Sequence, residues 1–214
     1  MTNDRLRILV VDDHVLVRSG IRRILADEPD IEYVGEADTA TQALKRIRSE
    51  QWDVIVMDIN MPGHNTLDVL RLIKLEKPDL PVLILTMYPE EQYAMRVLKE
   101  GAAGYITKSS APDNLISAIH KVVEGGAYVS PTLALQLATQ LRNKPKATLY
   151  DLMSNREFMV LCAIAEGKHL NQIADELNLS AKTISTYRTR VLNKLGMHSN
   201  TELVRYALEH GLIT

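Results

Sequence analysis

Five short apolar runs alternate with amphipathic segments over the first 125 residues, and this alternation restricts the possible fold more than any other feature. The runs are rich in Val, Ile and Leu and lack polar alternation, which is typical of strands buried on both faces. Alternating strands and helices predict a parallel sheet covered by helices on both sides. We expect strands at 7–11, 31–36, 53–57, 81–85 and 104–106, and helices near 14–27, 39–50, 66–77, 90–101 and 112–125.

The sequence changes character after residue 125. Ser130 and Pro131 have the pattern of a helix start, and the run at 142–146 is polar, basic and interrupted by proline, as in a linker. Only helical patterns follow, two of them opened by capping boxes at Ser154 and Ser199. We therefore predict an α/β domain at 1–125, a linker with a short helix at 126–150, and a smaller all-α domain at 151–214.

Composition narrows the class of protein. No apolar run approaches the roughly 18 residues that a membrane span needs, and the polar N-terminus is unlike a secretory signal. The single cysteine, Cys162, cannot form an internal disulfide and lies in an apolar helical run, so we expect it to be buried. These features predict a cytoplasmic protein that does not bind membranes.

Polar side chains follow four of the predicted strands, at the edge where the carboxyl ends of parallel strands meet. Asp12 and Asp13 follow the first strand, Asp58 the third and Thr86 the fourth, and Lys108 comes just after the fifth. Each residue alone has an ordinary explanation, such as a helix cap or a turn. Their convergence on one edge of one sheet indicates a site.

The residue types in this set suit one kind of chemistry. Carboxylates that lie close together favour a hard divalent cation, and Mg²⁺ suits a site that also holds phosphate. A carboxylate can attack a phosphoryl group while the cation neutralises its charge. A lysine and a hydroxyl can then bind the phosphate oxygens. The set therefore predicts Mg²⁺-dependent phosphorylation of a carboxylate.

Three segments closely resemble the receiver domain of bacterial two-component response regulators: 8–14, 54–63 and 101–108. The resemblance covers about residues 6–125 and implies a flavodoxin-like, doubly wound (βα)5 fold. It also implies phosphorylation by a sensor histidine kinase, with no enzyme activity beyond self-phosphotransfer and autodephosphorylation. It makes Asp58 the phosphoacceptor. The Mg²⁺ ligands that it implies are Asp12, Asp13, Asp58 and the backbone carbonyl of Asn60.

The same resemblance assigns residues that sense the phosphoryl group. Lys108 would pair with it, Thr86 would hydrogen-bond to it, and Tyr105 would be an aromatic switch that moves inward afterwards. Met87 stands where receivers often have a small residue, which bears on access to the phosphate and on the dephosphorylation rate. Two further departures from the usual pattern are Thr66 and Ser109.

The third helix of the C-terminal domain has two different faces. Ile184 and Val191 fall on an apolar face, and the opposite face is polar and free of acids, of a size that a DNA major groove accepts. Residues 152–212 also resemble the LuxR/FixJ-type output domain, and its pairing with a receiver indicates the NarL/FixJ class. We expect double-stranded DNA as a partner and a homodimer after phosphorylation. The predicted DNA contacts are Lys182, Thr183, Ser185, Thr186, Thr189, Arg190 and Lys194.

Two other functions compete with a phosphorylation-controlled transcription factor. An aspartate-based phosphohydrolase also uses an acidic Mg²⁺ pocket on a doubly wound sheet, but it needs an Asp-x-Asp pair after the first strand, where this chain has adjacent Asp12 and Asp13. A receiver with a vestigial pocket would act through partner binding alone. The intact set of acids, hydroxyl and lysine argues against that alternative.

Overall fold

The computed structural model describes residues 5–61, 66–142, 149–177 and 179–213. The chain divides into two compact units, Met1–Thr139 and Gln140–Thr214. All strands within the described residues belong to the first unit, and the described secondary structure of the second is helical. The predicted α/β domain followed by a smaller all-α domain is confirmed.

The first unit contains a five-stranded parallel sheet. Its strands are β1 (Leu6–Val11), β2 (Ile31–Ala37), β3 (Val54–Asp58), β4 (Val82–Thr86) and β5 (Gly104–Thr107). They lie side by side in the order β2-β1-β3-β4-β5, so β2 and β5 are the outermost strands of the sheet. Residues on both faces of the central strands are buried, which explains why these strands lack polar alternation.

A helix follows each strand, as the sequence predicts. Ile8 and Val10 of β1 pack in one apolar cluster with Ile21, Leu25 and Leu115, whereas the alternate residues of β1 are buried on the opposite face. Helices therefore cover both faces of the sheet. They are α1 (Val15–Leu25), α2 (Ala40–Ser49), α3 (Thr66–Glu76), α4 (Glu90–Lys99) and α5 (Ala111–Val123).

The segment after α5 belongs to the first compact unit and pairs with β5. Tyr105 N donates to Tyr128 O at 3.1 Å, and Tyr128 N donates to Ala103 O at 2.9 Å. A side chain at Gly104 would collide with the Tyr128 carbonyl, so the close approach requires glycine there. Ser130 then caps α6 (Pro131–Arg142), accepting from Leu133 N at 3.0 Å, and its hydroxyl also donates to the Glu90 carboxylate.

The linker prediction covers more than the structure describes. Residues 126–139 lie within the first compact unit, and residues 143–148 of the predicted linker lie outside the described residues. The boundaries at 125 and 150 stay predictions.

After α6, the described residues of the second unit form a short 3₁₀ turn, Leu149–Leu152, and four helices. Ser154 and Ser199 form the predicted capping boxes, and Ser180 accepts from Thr183 N at 3.1 Å at the start of the third helix. Gly196 ends that helix with a φ of 65°, a conformation that favours glycine. The helices are α7 (Asn155–Ala165), α8 (Leu170–Glu176), α9 (Ala181–Leu195) and α10 (Asn200–Glu209).

Two smaller predictions concern Cys162 and membrane spans. Cys162 is buried in α7, as expected for a small apolar side chain. Among the helices that the structure describes, none has both the length and the apolar character needed to cross a membrane.

Candidate functional site

Three carboxylates and one ammonium converge at the carboxyl edge of the sheet. Asp12 and Asp58 are fully or almost fully buried, and Asp13 beside them is partly exposed. The Lys108 Nζ atom lies 2.6 Å from Asp12 Oδ2 and 2.7 Å from Asp58 Oδ2. The structure thus brings together the acids and the lysine that the sequence predicts to meet.

The strand register and local hydrogen bonds position these groups. Asp58 is the last residue of β3, and its Oδ1 atom accepts from Asn60 N at 3.0 Å. Lys108 N donates to Thr86 O at 2.7 Å, which continues the pairing of β4 and β5 up to the lysine. On the other side, Arg18 Nη1 donates to Asp12 O at 2.6 Å.

Burial and neighbouring charges act in opposite directions on Asp58. Burial raises the pKa of the Asp58 carboxyl, and Lys108 counteracts part of that rise. Burial lowers the pKa of Lys108, but Asp58 and Asp12 outweigh it, so the pKa of Lys108 lies above its ordinary value. The lysine is therefore charged at neutral pH. One ammonium facing three carboxylates leaves excess negative charge, which suits a divalent cation.

The donor set fits Mg²⁺ chemistry. Ligand atoms of Asp12, Asp13, His14 and Asp58 lie within 4.8 Å of one another. Asp13 Oδ1 is buried without a hydrogen bond, and such an orphaned carboxylate oxygen is a suitable cation ligand. The backbone of Asn60 is held next to Asp58 by its own N–H, and the role of its carbonyl stays a prediction.

Thr86 and Tyr105 meet at the connection between β4 and α4. Thr86 is buried, and it follows Leu85, which pairs with Asp58 in the sheet register. Thr86 Oγ1 accepts from Tyr88 N at 3.4 Å, and the Tyr105 hydroxyl donates to Tyr88 O at 2.9 Å. The Tyr105 ring is buried, and its role as a switch stays a prediction. Both residues thus contact the same loop.

Helix α9 presents the two faces that the sequence predicts. Ile184 and Val191 are fully buried in the domain core. Thr186 Oγ1 donates to Lys182 O, and Thr189 Oγ1 donates to Ser185 O, both at 3.0 Å. Because these hydroxyl protons are used within the helix, the outward groups are a methyl and an oxygen acceptor. The exposed polar residues of α9 are Lys182, Ser185, Thr186, Thr189, Arg190, Asn193 and Lys194.

Besides Thr186 and Thr189, three of the predicted DNA contacts have partners inside the domain. Lys194 Nζ lies 2.7 Å from Glu157 Oε2 and donates to Leu152 O at 3.1 Å. Thr183 is half-buried next to the N-cap Ser180, with the two side-chain oxygens 2.8 Å apart. The Arg190 guanidinium lies 5.9 Å from the Tyr187 ring centroid. Within the part of the chain that the structure describes, no acid pairs with Arg190, whereas Lys194 shares its charge with Glu157.

Sequence reasoning missed two residues of the receiver site. His14 follows the two acids directly, and its ring lies against both of them. Arg18 holds the Asp12 backbone and pairs with Glu36 at 2.9 Å. The position of His14 directly after the two acids was a usable signal for His14, but nothing local in the sequence connects Arg18 with β2.

Comparisons with known proteins identify both domains. Residues 8–120 match the model for the response regulator receiver domain, and residues 151–207 match the model for bacterial regulatory proteins of the luxR family. The response regulator UvrY of Escherichia coli strain K12 is 39% identical over 208 residues, covering 97% of this chain and 95% of UvrY.

Solved structures of RcsB are also similar. RcsB from Salmonella enterica serovar Typhimurium, bound to promoter rprA in the presence of phosphomimetic BeF3⁻, aligns with a TM-score of 0.61 and 26% identity, over 94% of this chain and 98% of RcsB. A structure of two RcsB dimers bound to two parallel DNAs aligns with a TM-score of 0.59 and 27% identity, over 98% and 100% of the two chains.

Proposed function

Because the chain belongs to the bacterial response regulators that join a receiver domain to a LuxR-type DNA-binding domain, we propose that phosphorylation of Asp58 controls its binding to DNA. Its function is the regulation of transcription through two-component signalling. The phosphoryl donor is a sensor histidine kinase.

Asp58 accepts the phosphoryl group by nucleophilic attack. A carboxylate oxygen of Asp58 attacks the phosphorus of a phosphohistidine, a new O–P bond forms, and the P–N bond breaks with its electron pair returning to the imidazole. Only the ionised carboxylate performs this attack. Lys108 favours that ionised form, because its charge opposes the rise in pKa that burial imposes on Asp58.

A cation at the carboxylate cluster supports the transfer. The residues that would hold Mg²⁺ are Asp12, Asp13, Asp58 and the Asn60 backbone carbonyl, and the ion supplies positive charge opposite the transferring oxygens. The chain itself supplies position. Arg18 fixes the loop that carries Asp12 and Asp13, since it binds the Asp12 carbonyl and Glu36 together.

One observation carries this proposal: the Lys108 ammonium lies between two buried carboxylates at the end of the central strands. A phosphohydrolase needs an Asp-x-Asp pair after the first strand, and this chain has adjacent Asp12 and Asp13 there. Burying charged groups is costly, so two buried acids paired with a lysine are not expected in a pocket that has lost its function. A working receiver explains the arrangement best.

Thr86, Lys108 and Tyr105 convert phosphorylation into a change of shape. Lys108 leaves Asp58 Oδ2 to bind a phosphoryl oxygen, and the Thr86 hydroxyl binds another. Thr86 and Tyr105 both contact Tyr88, so a shift of Thr86 changes the stability of the inward Tyr105 position. Phosphorylation thereby biases a two-state loop at the start of α4.

The output domain binds double-stranded DNA through α9. Its first two turns enter the major groove, where Thr186 and Thr189 offer methyl groups and oxygen acceptors to base edges. RcsB, which is similar over almost its whole length, is bound to a promoter in its solved structure. Arg190 contacts phosphate. The other contacts that we assign to DNA are Lys182, Thr183, Ser185 and Lys194, of which Lys194 must share its charge with Glu157.

Phosphorylation favours a homodimer, because two linked output domains bind two half-sites with a higher effective concentration. Two RcsB dimers are bound to DNA in a solved structure. In α10, Leu203 and Ala207 are fully buried in the core, so pairing through this helix uses Val204 and Leu208. We assign residues 1–125 to the receiver, 126–150 to the linker and 151–214 to the output domain.

Labelling with acetyl phosphate tests the acceptor. We expect Mg²⁺-dependent phosphorylation of the wild type and of Asp53→Asn, and none of Asp58→Asn, resolved on phosphate-affinity gels. Asp53 is a matched control, because it comes just before β3, at the other end of the strand, and accepts from Arg7 N at 2.7 Å. Equal labelling of the two variants, or labelling in EDTA, contradicts the proposal.

A further inference from the structure

We propose that His14 is an additional metal ligand of the receiver, through Nδ1, and that it makes the site selective for divalent first-row transition metals such as Mn²⁺ over Mg²⁺. This inference rests on the proposed function, since it concerns the same carboxylate cluster. The site would then have three carboxylates and one imidazole nitrogen.

The His14 ring lies in the cluster at ligand-to-ligand distances. Nδ1 is 2.8 Å from Asp13 Oδ1 and 3.1 Å from Asp12 Oδ1. In an octahedral site with bonds of about 2.1 Å, neighbouring ligand atoms are about 3.0 Å apart. Both measured distances agree with neighbouring positions around one ion.

The backbone holds His14 in place for this role. His14 stands at the N-cap of α1, where a side chain commonly caps the helix, but its side chain makes no such bond. Its own N–H instead donates to Asp12 Oδ1 at 2.8 Å, which turns the residue towards the acids. The side chain is therefore directed to the cluster rather than to the helix end.

The other polar atoms of the cluster leave the space between His14 Nδ1 and the Asp12 and Asp13 carboxylates available to an ion. Asp12 Oδ2 forms an ion pair with Lys108, whereas Oδ1, on the side of His14, accepts from the His14 backbone N–H and can still bind a cation with its second lone pair. Asp13 Oδ1 is buried without a hydrogen bond, although it lies next to Nδ1. An ion between Nδ1 and these two oxygens satisfies all three atoms at once.

The chemistry of the nitrogen determines the selectivity. Mg²⁺ prefers oxygen ligands, whereas imidazole suits first-row transition metals. Carboxylate oxygens bind both Mg²⁺ and Mn²⁺, so it is the added imidazole nitrogen that distinguishes between the two ions. The nitrogen therefore increases affinity for Mn²⁺ while leaving affinity for Mg²⁺ almost unchanged.

Direct metal binding to the full-length protein tests the inference. Free Mn²⁺ is titrated by electron paramagnetic resonance, Mg²⁺ affinity is obtained by competition, and pulsed resonance detects nitrogen bound to Mn²⁺. The variants are His14→Gln and His120→Gln. His120 is a matched control, because its ring pairs with Asp30 at 2.7 Å elsewhere in the receiver.

We expect a histidine nitrogen coupling in wild type and in His120→Gln, and its loss in His14→Gln. His14→Gln should weaken Mn²⁺ binding tenfold or more and change Mg²⁺ binding less than twofold. Absence of nitrogen coupling in the wild type overturns the inference, as does an equal loss of affinity for both metals. If neither metal binds the wild type, the carboxylate site itself is refuted and the proposed function fails with it.

Discussion

The Lys108 ammonium compensates two buried carboxylates with a single positive charge, at 2.6 Å and 2.7 Å. Removal of one partner from a buried ion pair leaves an uncompensated charge, which is costly. Asp58 then faces Asp12 without an intervening cation, and both burial and Asp12 raise the pKa of its carboxyl. Lys108 therefore has two roles: it favours the ionised form of Asp58, and it binds the phosphoryl group after transfer.

We predict that Lys108→Ala still accepts phosphate, at a lower rate, but no longer responds to it. Phosphorylation of the wild type should tighten DNA binding by roughly 5- to 150-fold, the usual range of coupling between two sites. In Lys108→Ala this gain should fall below twofold, measured by fluorescence anisotropy at matched phosphate occupancy. Lys45→Ala, an exposed lysine of α2, is the control. A normal response of fully phosphorylated Lys108→Ala would refute this role.

Glu157 connects two helices of the output domain. It closes the capping box of α7 with Ser154, and it pairs with Lys194 of α9 at 2.7 Å. Burial raises the pKa of Glu157, but the hydrogen bonds from Lys194 and Ser154 outweigh it, so the pKa lies below its ordinary value. The ionised form is therefore the one that stabilises the fold.

This pKa shift predicts a pH dependence. Because the folded-state pKa is lowered, the contribution is complete above the unfolded-state pKa of about 4.3 and is lost as pH falls through the folded-state value. Glu157→Gln keeps the cap but removes the charge, and should destabilise the domain by about 1 kcal/mol at pH 7.

Hydrogen exchange of α7 amides in the full-length protein measures this effect between pH 7 and pH 3.5. The difference between wild type and Glu157→Gln should shrink as the pH falls below about 4.3. Glu209→Gln, which removes an exposed carboxylate 3.8 Å from Arg205, should have almost no effect. A difference that grows on acidification is the contrary result.

At the scale of one element, α9 separates two kinds of DNA contact. Its threonines present methyl groups and acceptors, since their hydroxyl protons are bound to the helix backbone. Arg190 is exposed at the flank, with its guanidinium near the Tyr187 ring. Short side chains in the groove read bases, whereas a charged flank binds phosphate irrespective of sequence.

We predict that Arg190→Ala weakens specific and non-specific binding alike and lowers the salt slope by roughly one unit per half-site. Thr186→Ala should instead change preference at particular base positions, by about 1 kcal/mol, and leave the slope unchanged. Titrations at several salt concentrations, on cognate and scrambled duplexes, measure both effects. The docking of α9 is wrong if the two variants exchange these behaviours.

Particular residues show how far the sequence determines these elements. The capping boxes at Ser154 and Ser199 lie where the sequence places them, because a cap depends on residues three positions apart. The Glu157–Lys194 pair joins residues 37 positions apart, and no local pattern reveals it. The Arg18–Glu36 pair is likewise set by how α1 packs against β2.

At the scale of the whole chain, phosphorylation should be linked to assembly. We predict that sedimentation of the wild type shifts from monomer towards dimer on phosphorylation, and that Leu208→Lys reduces this shift on DNA, because Leu208 is exposed on α10. Leu16→Lys, an exposed change on α1, is the control. A monomer in every state, including with phosphate and DNA, excludes dimerisation.

The topology of the receiver follows from the alternation of strands and helices, which predicts a parallel sheet. All five polar residues that the sequence places at its edge could be found in the same way, because parallel strands end on one side. The pairing of Tyr128 with β5 could not be predicted from the sequence, because a single isolated bridge leaves no periodic pattern of residues.

That pairing has a consequence for the behaviour of the protein in a crowded cell. β5 is the outermost strand on its side of the sheet, and a bare outermost strand is a template on which other chains can add strands and aggregate. Tyr128 occupies the backbone groups of Ala103 and Tyr105 that would otherwise recruit such a strand. A receiver fragment cut at residue 125 lacks this cover, so residues 126–130 protect the domain against self-association through β5.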